Sequence, residues 1–563
     1  MRFAHRDIWS NWAKAAIYDT GGQVLRNGLT SAGLELKKGT NTMRFDRRFL
    51  LAGAGASLLL PRFAMAAPSE GWFNVRDFGA KGDGTTIDGP AIDRAIAAAA
   101  AKGGGTVWFP QGTYASYTIH LKSNITLHLD RGAVLLAAAV PLQGTQNGYD
   151  MAEPQDPTIA AFQDYGHNHW RNSLIYGEGL HDIAIVGDGL IWGKGLSRGH
   201  DDDPDLPKAE LPGVGNKSIA LKNCINVQLR DFKILKGGHF ALLATGVDNL
   251  VIENLMVDTD RDGFDIDCCK NVRVSNCTVN SPFDDGICPK SSFALGYART
   301  TENVTISDCY VSGCYIVGSV IDGTFRRYPD QKAWHTGRIK CGTESNGGFK
   351  AITISNCVFE SCQGLALETV DGAILEDITV TNIAMRGITT APLFLRLGRR
   401  MRGPAGVPVG SLKRVLIDNI TASGSSLLPS IIAGVAGHPV EDVKISNLYL
   451  EQVGGGDTGS ARVQVPAQED AYPDPGMFGA LPATGFFIRQ ARNIEMSHVE
   501  IAVRAADARP ALWLQDVDGF DGSFLKTPSG APNFVLDRVG HFRTFGSLDV
   551  PDRRIDGTSS LSF

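Results

Sequence analysis

The chain has 563 residues, 43% of them hydrophobic, so it is long enough to bury a large core. The formal net charge of −6 comes from mixed signs, and no basic run or basic–aromatic stripe indicates a nucleic-acid partner. After the N-terminal region, no apolar run of about 18 residues marks a membrane span. The 65 glycines suit a fold with many tight turns.

The N-terminal region predicts an export signal. Arg47 and Arg48 form a twin arginine, the apolar run 49–60 follows, and Ala-Met-Ala at 64–66 is a small-x-small cleavage site. This pattern resembles a twin-arginine signal peptide over residues 43–66. The alternative interpretation is a short buried helix.

The signal divides the chain into segments. Residues 1–42 precede Met43 and are expected to be an upstream extension. Residues 67–563 are then the mature protein, which we expect to be a single domain in the periplasm or outside the cell. After signal cleavage we expect no membrane association, and we expect a monomer.

Nine segments of the mature chain share one pattern. The second and fourth residues are apolar, the sixth is mostly Asn or Asp, and the seventh is apolar again. The alternation predicts a half-buried strand, and Asn or Asp at the sixth position suits a bend, since these residues tolerate left-handed φ. The segments begin at Asn226, Asn249, Asn271, Asn303, Ala351, Asp377, Arg414, Asp442 and Asn493.

The shortest of these repeats are 22 and 23 residues long. A strand–bend–strand unit of that length cannot bury its apolar face alone, so it must stack on its neighbours. The repeats therefore predict an all-β fold, a single-stranded right-handed parallel β-helix. Cys277, Cys309 and Cys357 occupy the seventh position, where we expect an inward stack; disulfides, which an oxidising compartment permits, are the alternative.

Two acidic clusters are separated by one repeat. Asp262 lies 22 residues before Asp284, which is followed by Asp285. Residues one coil apart lie about 4.8 Å apart, as neighbouring strands do. We therefore expect Asp262 to lie opposite Asp284, one coil away, and we expect Asp262, Asp285 and Asp265 to project from one outer face.

Stacked like charges cost energy unless a cation or a reaction uses them. A rigid pair of carboxylates suits glycoside hydrolysis, in which one protonates the leaving oxygen and another activates water. Two alternatives remain open, namely aspartates that cap the turns of the helix, as expected for Asp308, and a calcium site.

The motifs "DRDGFDI" and "DDGICPKSS" resemble those of glycoside hydrolase family 28, the polygalacturonases. The segment after Phe73 resembles the N-terminal cap of this and related families, in which the helical run Asp88–Ala101 would plug the solenoid. The resemblance implies a parallel β-helix that hydrolyses pectic polysaccharide with inversion and without a cofactor.

The resemblance also implies residue roles. Asp284 would be the general acid, and Asp262 and Asp285 would position and deprotonate the attacking water. Lys290 matches a family lysine and would contact substrate, with a solvated lysine as the alternative. Asp265 is a further expected substrate-binding residue.

The chain also departs from the family pattern. Asp260 and Arg261 replace Asn and Thr, and the Gly-His-Gly motif is not evident. His335, a candidate for its histidine and for substrate binding, could equally be a surface residue. The substrate-binding Arg-Ile-Lys motif has two candidate positions, Arg338 to Lys340, or residues 364–369.

The second candidate, 364–369, holds Ala366 and Glu368 where cations are expected, and Glu368 would repel a uronate carboxylate. Arg338 and Lys340 are therefore predicted to bind that carboxylate from the neighbouring coil. An arginine cluster is the other source, unless it is a solvated loop. Its members are Arg396, Arg399, Arg400 and Arg402.

Polygalacturonan is the default substrate, and rhamnogalacturonan or another pectic oligosaccharide is the alternative. Inserts at 143–170 and 199–215 could close one end of a groove and favour an exo mode. Two other classes remain open, a β-helix polysaccharide lyase and a non-catalytic carbohydrate-binding β-helix.

Overall fold

The computed structural model describes residues 71–198, 204–327 and 335–563, and the backbone of four strands nearer the N-terminus. The chain divides into two compact units, 1–70 and 71–563. In the first unit the strands pair as an antiparallel meander. They span Ile17–Tyr18, Val24–Thr30, Gly33–Lys38 and Asn41–Asp46. Beyond Asp46, the predicted signal peptide lies outside the described residues.

The second unit is a parallel β-helix in which each coil adds one strand to each of three stacks. The first stack contains Trp72–Asn74, Gly105–Phe109, Ile125–Leu129, His181–Val186, Ile225–Arg230, Asp248–Glu253, Lys270–Ser275, Thr301–Ser307 and Phe349–Ser355. The second contains Asp83–Ile87, Gly112–Ser116, Ala133–Ala137, Leu190–Trp192, Lys233–Leu235, Met256–Asp258, Thr278–Asn280, Tyr310–Ser312 and Val358–Glu360. The expected all-β, right-handed parallel β-helix is confirmed.

The third stack carries both acidic motifs. It contains Ile119–His120, Ile175–Glu178, Lys217–Lys222, Phe240–Thr245, Phe264–Asp267, Ile287–Lys290, Lys340–Cys341, Leu365–Thr369, Leu393–Leu397 and Ser430–Ala433. Longer strands continue the stacks to the C-terminal end, at Ile374–Ile388, Ser411–Gly424, Val440–Gly454, Phe486–Ala505, Leu512–Ser523 and Phe534–Phe545. The remaining strands are Tyr315–Val317, Arg326–Arg327, Arg553–Ile555 and Ser559–Ser562.

The nine repeats of the sequence coincide with the first stack. The second positions pair in one continuous register from Val227 through Leu250 and Val272 to Ile494. Residues at positions two, four and seven are buried in every repeat. The sixth residue has a positive φ in all nine, as predicted for a bend, and so does the first residue, which the pattern did not reveal.

The ends of the solenoid are covered. The helix Gly89–Ala101 buries Ile92 and Ile96 against the first coil, and the preceding Asp88 accepts hydrogen bonds from the N–H groups of Lys81 and Gly82. At the other end, Arg553–Ile555 and Ser559–Ser562 pair antiparallel with the last long strand. A short helix spans Pro157–Ala160, and 3-10 turns span Val75–Phe78, Tyr165–Asn168, Ser460–Arg462 and Pro475–Phe478.

Two local features bear on the environment of the protein. All ten cysteines are buried and free, so the inward stack of Cys277, Cys309 and Cys357 is confirmed and the disulfide alternative is wrong. Over the described part of the chain, no helix combines the length and apolar character needed to cross a membrane.

Candidate active site

Three aspartates form an acidic cluster at the start of adjacent strands of the third stack. One carboxylate oxygen from each of Asp262, Asp284 and Asp285 lies within 4.8 Å of the others. The register pairs Phe264 with Ile287, and the N–H of Gly263 donates to the carbonyl of Asp285 at 3.0 Å. Asp262 therefore lies opposite Asp285. The expectation that it would lie opposite Asp284 is wrong by one residue, because this coil has one residue more than the expected 22.

Asp285 is held as a carboxylate by two cations from the next coil. It is 1% exposed, and its oxygens accept from Arg338 Nε at 2.9 Å and Lys340 Nζ at 3.0 Å. Burial alone would raise its pKa, but Lys340 and Arg338 outweigh burial and lower the pKa of Asp285 to about 2. Asp285 therefore favours its ionised form.

Asp262 has the opposite environment. It is 2% exposed, and its Oδ1 has no hydrogen-bond partner among the described residues. Burial, with the charges of Asp284 and Asp265 nearby, raises the pKa of Asp262 well above its ordinary range. Two carboxyl groups on adjacent strands thus favour opposite protonation states.

Asp284 is the most accessible of the three. Its side chain is 26% exposed, its Oδ2 lies 2.5 Å from Arg261 Nη2, and its Oδ1 accepts from the N–H of Asp285 at 3.1 Å. The neighbouring Asp260 pairs with Arg198 at 2.9 Å. The two residues that depart from the family motif, Asp260 and Arg261, therefore add ion pairs around the acidic cluster.

Lys290 and Asp265 belong to a second buried charge network. Lys290 Nζ donates to Glu344 at 3.2 Å and lies 3.8 Å from Asp265, which is 3.4 Å from His167 Nε2. Burial opposes the charge of Lys290, yet Asp265 and Glu344 raise its pKa well above the ordinary range. Lys290 is 5% exposed, so the solvated-lysine alternative is wrong, and a substrate contact by Lys290 or Asp265 stays a prediction.

Arg338 and Lys340, which the sequence predicted to bind a substrate carboxylate, bind Asp285 instead. They are 2% and 3% exposed and donate to Asp285, so they do not stand free for a substrate carboxylate. The register places Lys340 beside Ala366, and Glu368 lies 3.9 Å from Arg338 Nη2. Burial raises the pKa of Glu368 to about 7, although Lys340 and Arg338 lower it.

The arginine cluster is also engaged, so the solvated-loop interpretation is wrong for its buried members. Arg396 is 1% exposed and donates to the carbonyls of Gly434 and Gln468. Arg400 donates twice to Asp371, at 3.0 and 2.6 Å.

His335 is buried, at 5% exposure, so the surface-residue alternative is wrong. Its carbonyl accepts from Thr389 Oγ1 at 3.3 Å, and the N–H of the next residue, Thr336, donates to the carbonyl of Pro282, just before the acid pair. Substrate binding by His335 stays a prediction.

Two inserts flank the acidic cluster and meet at one loop. The N-terminal insert, residues 143–170, supplies His167. Arg402 holds this insert in place by donating to the carbonyl of Phe162 at 2.8 Å and to Asp164 at 3.1 Å. A later insert, residues 455–485, is fixed by Arg399 to Glu469 and Asp470. The predicted insert at 199–215 is described only from residue 204.

Sequence reasoning missed several residues of this site. His167 and Tyr472 come from the two inserts, where no repeat assigns a position, and Glu344 follows the "GRIK" segment by four residues. The acidic character of Glu344 was the available signal, because a buried Lys290 needs an acid partner.

Parts of the chain are similar to known proteins. Residues 72–150 match a family model described as rhamnogalacturonase A/epimerase, pectate lyase-like. A probable polygalacturonase of Vitis vinifera is 25% identical over 55% of this chain and 60% of its own length. An exo-poly-alpha-D-galacturonosidase of Dickeya chrysanthemi is 27% identical over 63% of each chain. A mannuronan C5-epimerase of Azotobacter vinelandii is 28% identical over 35% of this chain and 11% of its own length.

The chain thus spans less than two thirds of the length of these relatives. Among solved structures, the family 28 exopolygalacturonase of Yersinia enterocolitica superposes with a TM-score of 0.57 at 20% identity, over 80% of this chain and 78% of that one. At that identity the likeness concerns the fold. The resemblance to glycoside hydrolase family 28 that the two acidic motifs indicate is therefore confirmed, in sequence by the polygalacturonase relatives and in fold by the parallel β-helix.

Proposed function

We propose that the protein hydrolyses a glycosidic bond of a pectic polysaccharide or oligosaccharide at Asp262, Asp284 and Asp285. The observation that carries this proposal is the close approach of three carboxyl groups, within 4.8 Å, in opposed environments. One is held ionised by two cations, one is buried and favours its proton, and one is accessible from solvent. Hydrolysis needs a carboxylate for water and an acid for the leaving oxygen.

The proposed mechanism gives each aspartate one task. Asp284, the accessible group, draws on the proton that burial holds at the neighbouring Asp262 and donates it to the leaving oxygen as the bond to the anomeric carbon breaks. Water attacks that carbon and gives its proton to Asp285, while Asp262 positions the water by a hydrogen bond. The product alcohol and the new reducing end leave, and proton exchange with solvent removes the proton from Asp285 and returns one to the Asp262–Asp284 pair.

Inversion, which the family resemblance implies, needs its own test. An inverting pair of carboxyl groups is usually separated by about 6.5–9.5 Å, and a retaining pair by about 5–5.5 Å. The closest oxygens of this cluster lie within 4.8 Å. Proton NMR of the first product formed would read the anomeric configuration, and the proposal of inversion requires the opposite anomer from the substrate.

We further propose an exo mode on short oligosaccharides. The N-terminal insert and residues 455–485 converge on the loop that carries Arg400 and Arg402. The exo-acting relative of Dickeya is consistent with this mode. An exo enzyme releases one product size from the first turnover, whereas an endo enzyme releases mixed oligomers.

A product screen on pectic oligosaccharides tests the activity. We expect saturated products with new reducing ends, formed equally with and without a chelator. Asp284→Asn is expected to be inactive, whereas Asp308→Asn, the same substitution at an exposed bend where Asp308 accepts from Asn356 at 3.2 Å, is expected to be active. Unsaturated products, or activity that a chelator removes and calcium restores, would instead indicate a lyase.

Export remains part of the proposal. We propose that the twin-arginine segment directs the chain to the periplasm or the medium and is removed after Ala66. Sequencing the N-terminus of the exported protein tests this, since a mature chain that begins at Ala67 is the expected result. An unprocessed chain recovered only from the cytoplasm would contradict it.

A further inference from the structure

Tyr472 is a fixed yet accessible aromatic residue beside the acidic cluster. It is 57% exposed, although Thr343 Oγ1 donates to its hydroxyl at 3.0 Å and Lys340 Nζ and Arg400 lie 5.8 and 5.9 Å from its ring centre. Lys340 is one of the two residues whose side chains donate to Asp285. Tyr472 is therefore one residue removed from the catalytic carboxylate, on the side of the later coils.

The insert that carries Tyr472 is anchored on both sides of the ring. Arg399 pairs with Glu469 at 3.1 Å and with Asp470 at 2.9 Å. On the other side, Asp474 begins the 3-10 turn Pro475–Phe478, and the buried ring of Phe478 lies 6.4 Å from that of Phe487 on the strand Phe486–Ala505. Because these contacts fix the backbone, little conformational freedom is lost when a ligand packs on the ring.

The cations beneath Tyr472 are buried and already engaged. Arg338 and Lys340 donate to Asp285, and Arg396 donates to backbone carbonyls. Arg400 donates to Asp371. Arg338 Nη1, Arg396 Nε and Arg400 Nη1 make no hydrogen bond among the described residues, but these atoms are buried. None of the four side chains is more than 10% exposed, so a ligand on the ring does not reach an open cation.

The same region holds enough acid to balance those charges. Glu368 is fully buried 3.9 Å from Arg338, and the charge of Asp474 acts on both residues. With Asp285 and Asp371, these acids match the four cations Arg338, Lys340, Arg396 and Arg400 in number. A carboxylate placed here would lose water without gaining a free cation, which is unfavourable.

We infer that Tyr472 forms a subsite next to Asp285 that binds an uncharged sugar through the carbon–hydrogen face of its ring. Burial of that apolar face against the aromatic ring supplies the binding, and no ion pair is needed. The inference rests on the proposed function, and it names an uncharged residue, such as a deoxy sugar or an esterified uronate, at this position of the substrate. From the sequence we expected Arg338 and Lys340 to bind a substrate carboxylate, whereas this subsite binds a sugar without one.

Calorimetric titration of the Asp284→Asn variant tests this inference without turnover. The probes are an oligogalacturonide and its fully methyl-esterified counterpart, of equal length, at pH 8. We expect the ester to bind at least about tenfold more tightly, because only the acid form places an unmatched charge near Glu368 and Asp285. Tighter binding of the acid form would overturn the inference.

Second substitutions in the same background locate the subsite. Tyr472→Ala is expected to weaken the ester roughly tenfold and Tyr472→Phe to leave it unchanged, since only the ring is needed. Tyr449→Ala, at a 43% exposed tyrosine on the strand Val440–Gly454, is the matched control and is expected to have no effect. Unchanged ester binding in Tyr472→Ala would overturn the inference.

The test of the Tyr472 subsite can be separated from the test of the proposed hydrolytic activity. If the unsubstituted protein hydrolyses no pectic probe while the Asp284→Asn variant still prefers the ester, the proposed function fails and the subsite stands. If it hydrolyses the acid oligomer faster and binds that form more tightly, the function stands and the subsite assignment fails.

Discussion

Two sets of stacked polar residues run along this solenoid, and the same coil spacing gives them opposite properties. On the first stack, an amide ladder runs from Asp182 through Asn226, Asn249 and Asn271 to Asn303, with side-chain hydrogen bonds of 2.9 to 3.2 Å. On the third stack, the acidic cluster brings three carboxyl groups within 4.8 Å. The ladder is exposed, whereas two of the three acids are buried.

The difference lies in whether a stacked residue can satisfy its neighbour. An amide carries both a donor and an acceptor, so each Asn bonds to the next coil and the ladder adds stability. A carboxylate carries acceptors only, so stacked acids repel and need donors from elsewhere. Arg261, Arg338 and Lys340 supply those donors, which fits the reactive role that we propose for the acidic cluster and a structural role for the ladder.

The largest expected effect is a difference in kcat between substitutions in the acidic cluster and substitutions in the amide ladder. Asp→Asn at Asp262, Asp284 or Asp285 is expected to lower kcat on a cleaved pectic substrate by about 10²- to 10⁴-fold each, because each removes an acid–base or positioning group. Asn249→Ala in the ladder is expected to leave kcat unchanged. Steady-state kinetics checks both, and near-normal turnover in all three aspartate variants would place the active site elsewhere.

The next effect separates the acids from one another by stability. Asp285→Asn leaves Arg338 and Lys340 buried without their carboxylate, so we expect a loss of about 3–5 kcal/mol in the free energy of unfolding. Asp262→Asn removes a repelled carboxyl with an unpartnered oxygen, so we expect the free energy of unfolding to hold or rise. Urea unfolding of both variants checks this, and equal losses would mean that the two acids share one environment.

Glu368 gives an effect that depends on pH. Its pKa in the folded protein is raised from 4.5 to about 7, so its contribution to stability is fully present below about pH 4.5 and is lost as pH rises through 7. Glu368→Gln does not titrate, so its stability relative to the unsubstituted protein is expected to increase from pH 5 to pH 8, by about 2.5 kcal/mol. Urea unfolding across this range checks it, and a difference that does not change with pH would contradict the assignment.

The smallest effect concerns the ladder itself. Asn249 hydrogen-bonds to Asn226 and Asn271 and has a φ of 55°. Asn249→Ala loses both bonds and places alanine in the left-handed region, so we expect a loss of about 2 kcal/mol in the free energy of unfolding. Asn249→Gly, which tolerates that φ, is expected to lose less, and equal losses would show that the hydrogen bonds alone account for the effect.

The periodic part of the molecule could be predicted from the sequence, and the rest could not. Val227, Leu250 and Val272 align in the chain as they pair in space, because a repeat fixes both. The repeat length also predicted that Asp262 lies opposite Asp284, which is wrong by one residue. A coil can gain a residue in a turn while its strands keep their pattern, and the sequence pattern does not reveal this.

The sequence also did not show which side chains pair with one another in space. Arg338 and Lys340 matched a substrate-binding motif, but burial beside Asp285 commits them to that carboxylate. His167 and Tyr472 come from inserts, where chain position says nothing about spatial position. Their roles depend on long-range contacts that only a structure provides.

The central claim is that the acidic cluster cleaves a glycosidic bond with water. Cleavage of a pectic oligosaccharide in water enriched in ¹⁸O, followed by mass spectrometry, tests it most directly. We expect one ¹⁸O atom at each new reducing end, no loss of hydrogen from the ring carbons, and no product with the Asp284→Asn variant. An unsaturated product without ¹⁸O, or exchange of a ring hydrogen without cleavage, would contradict hydrolysis and identify a lyase or an epimerase instead.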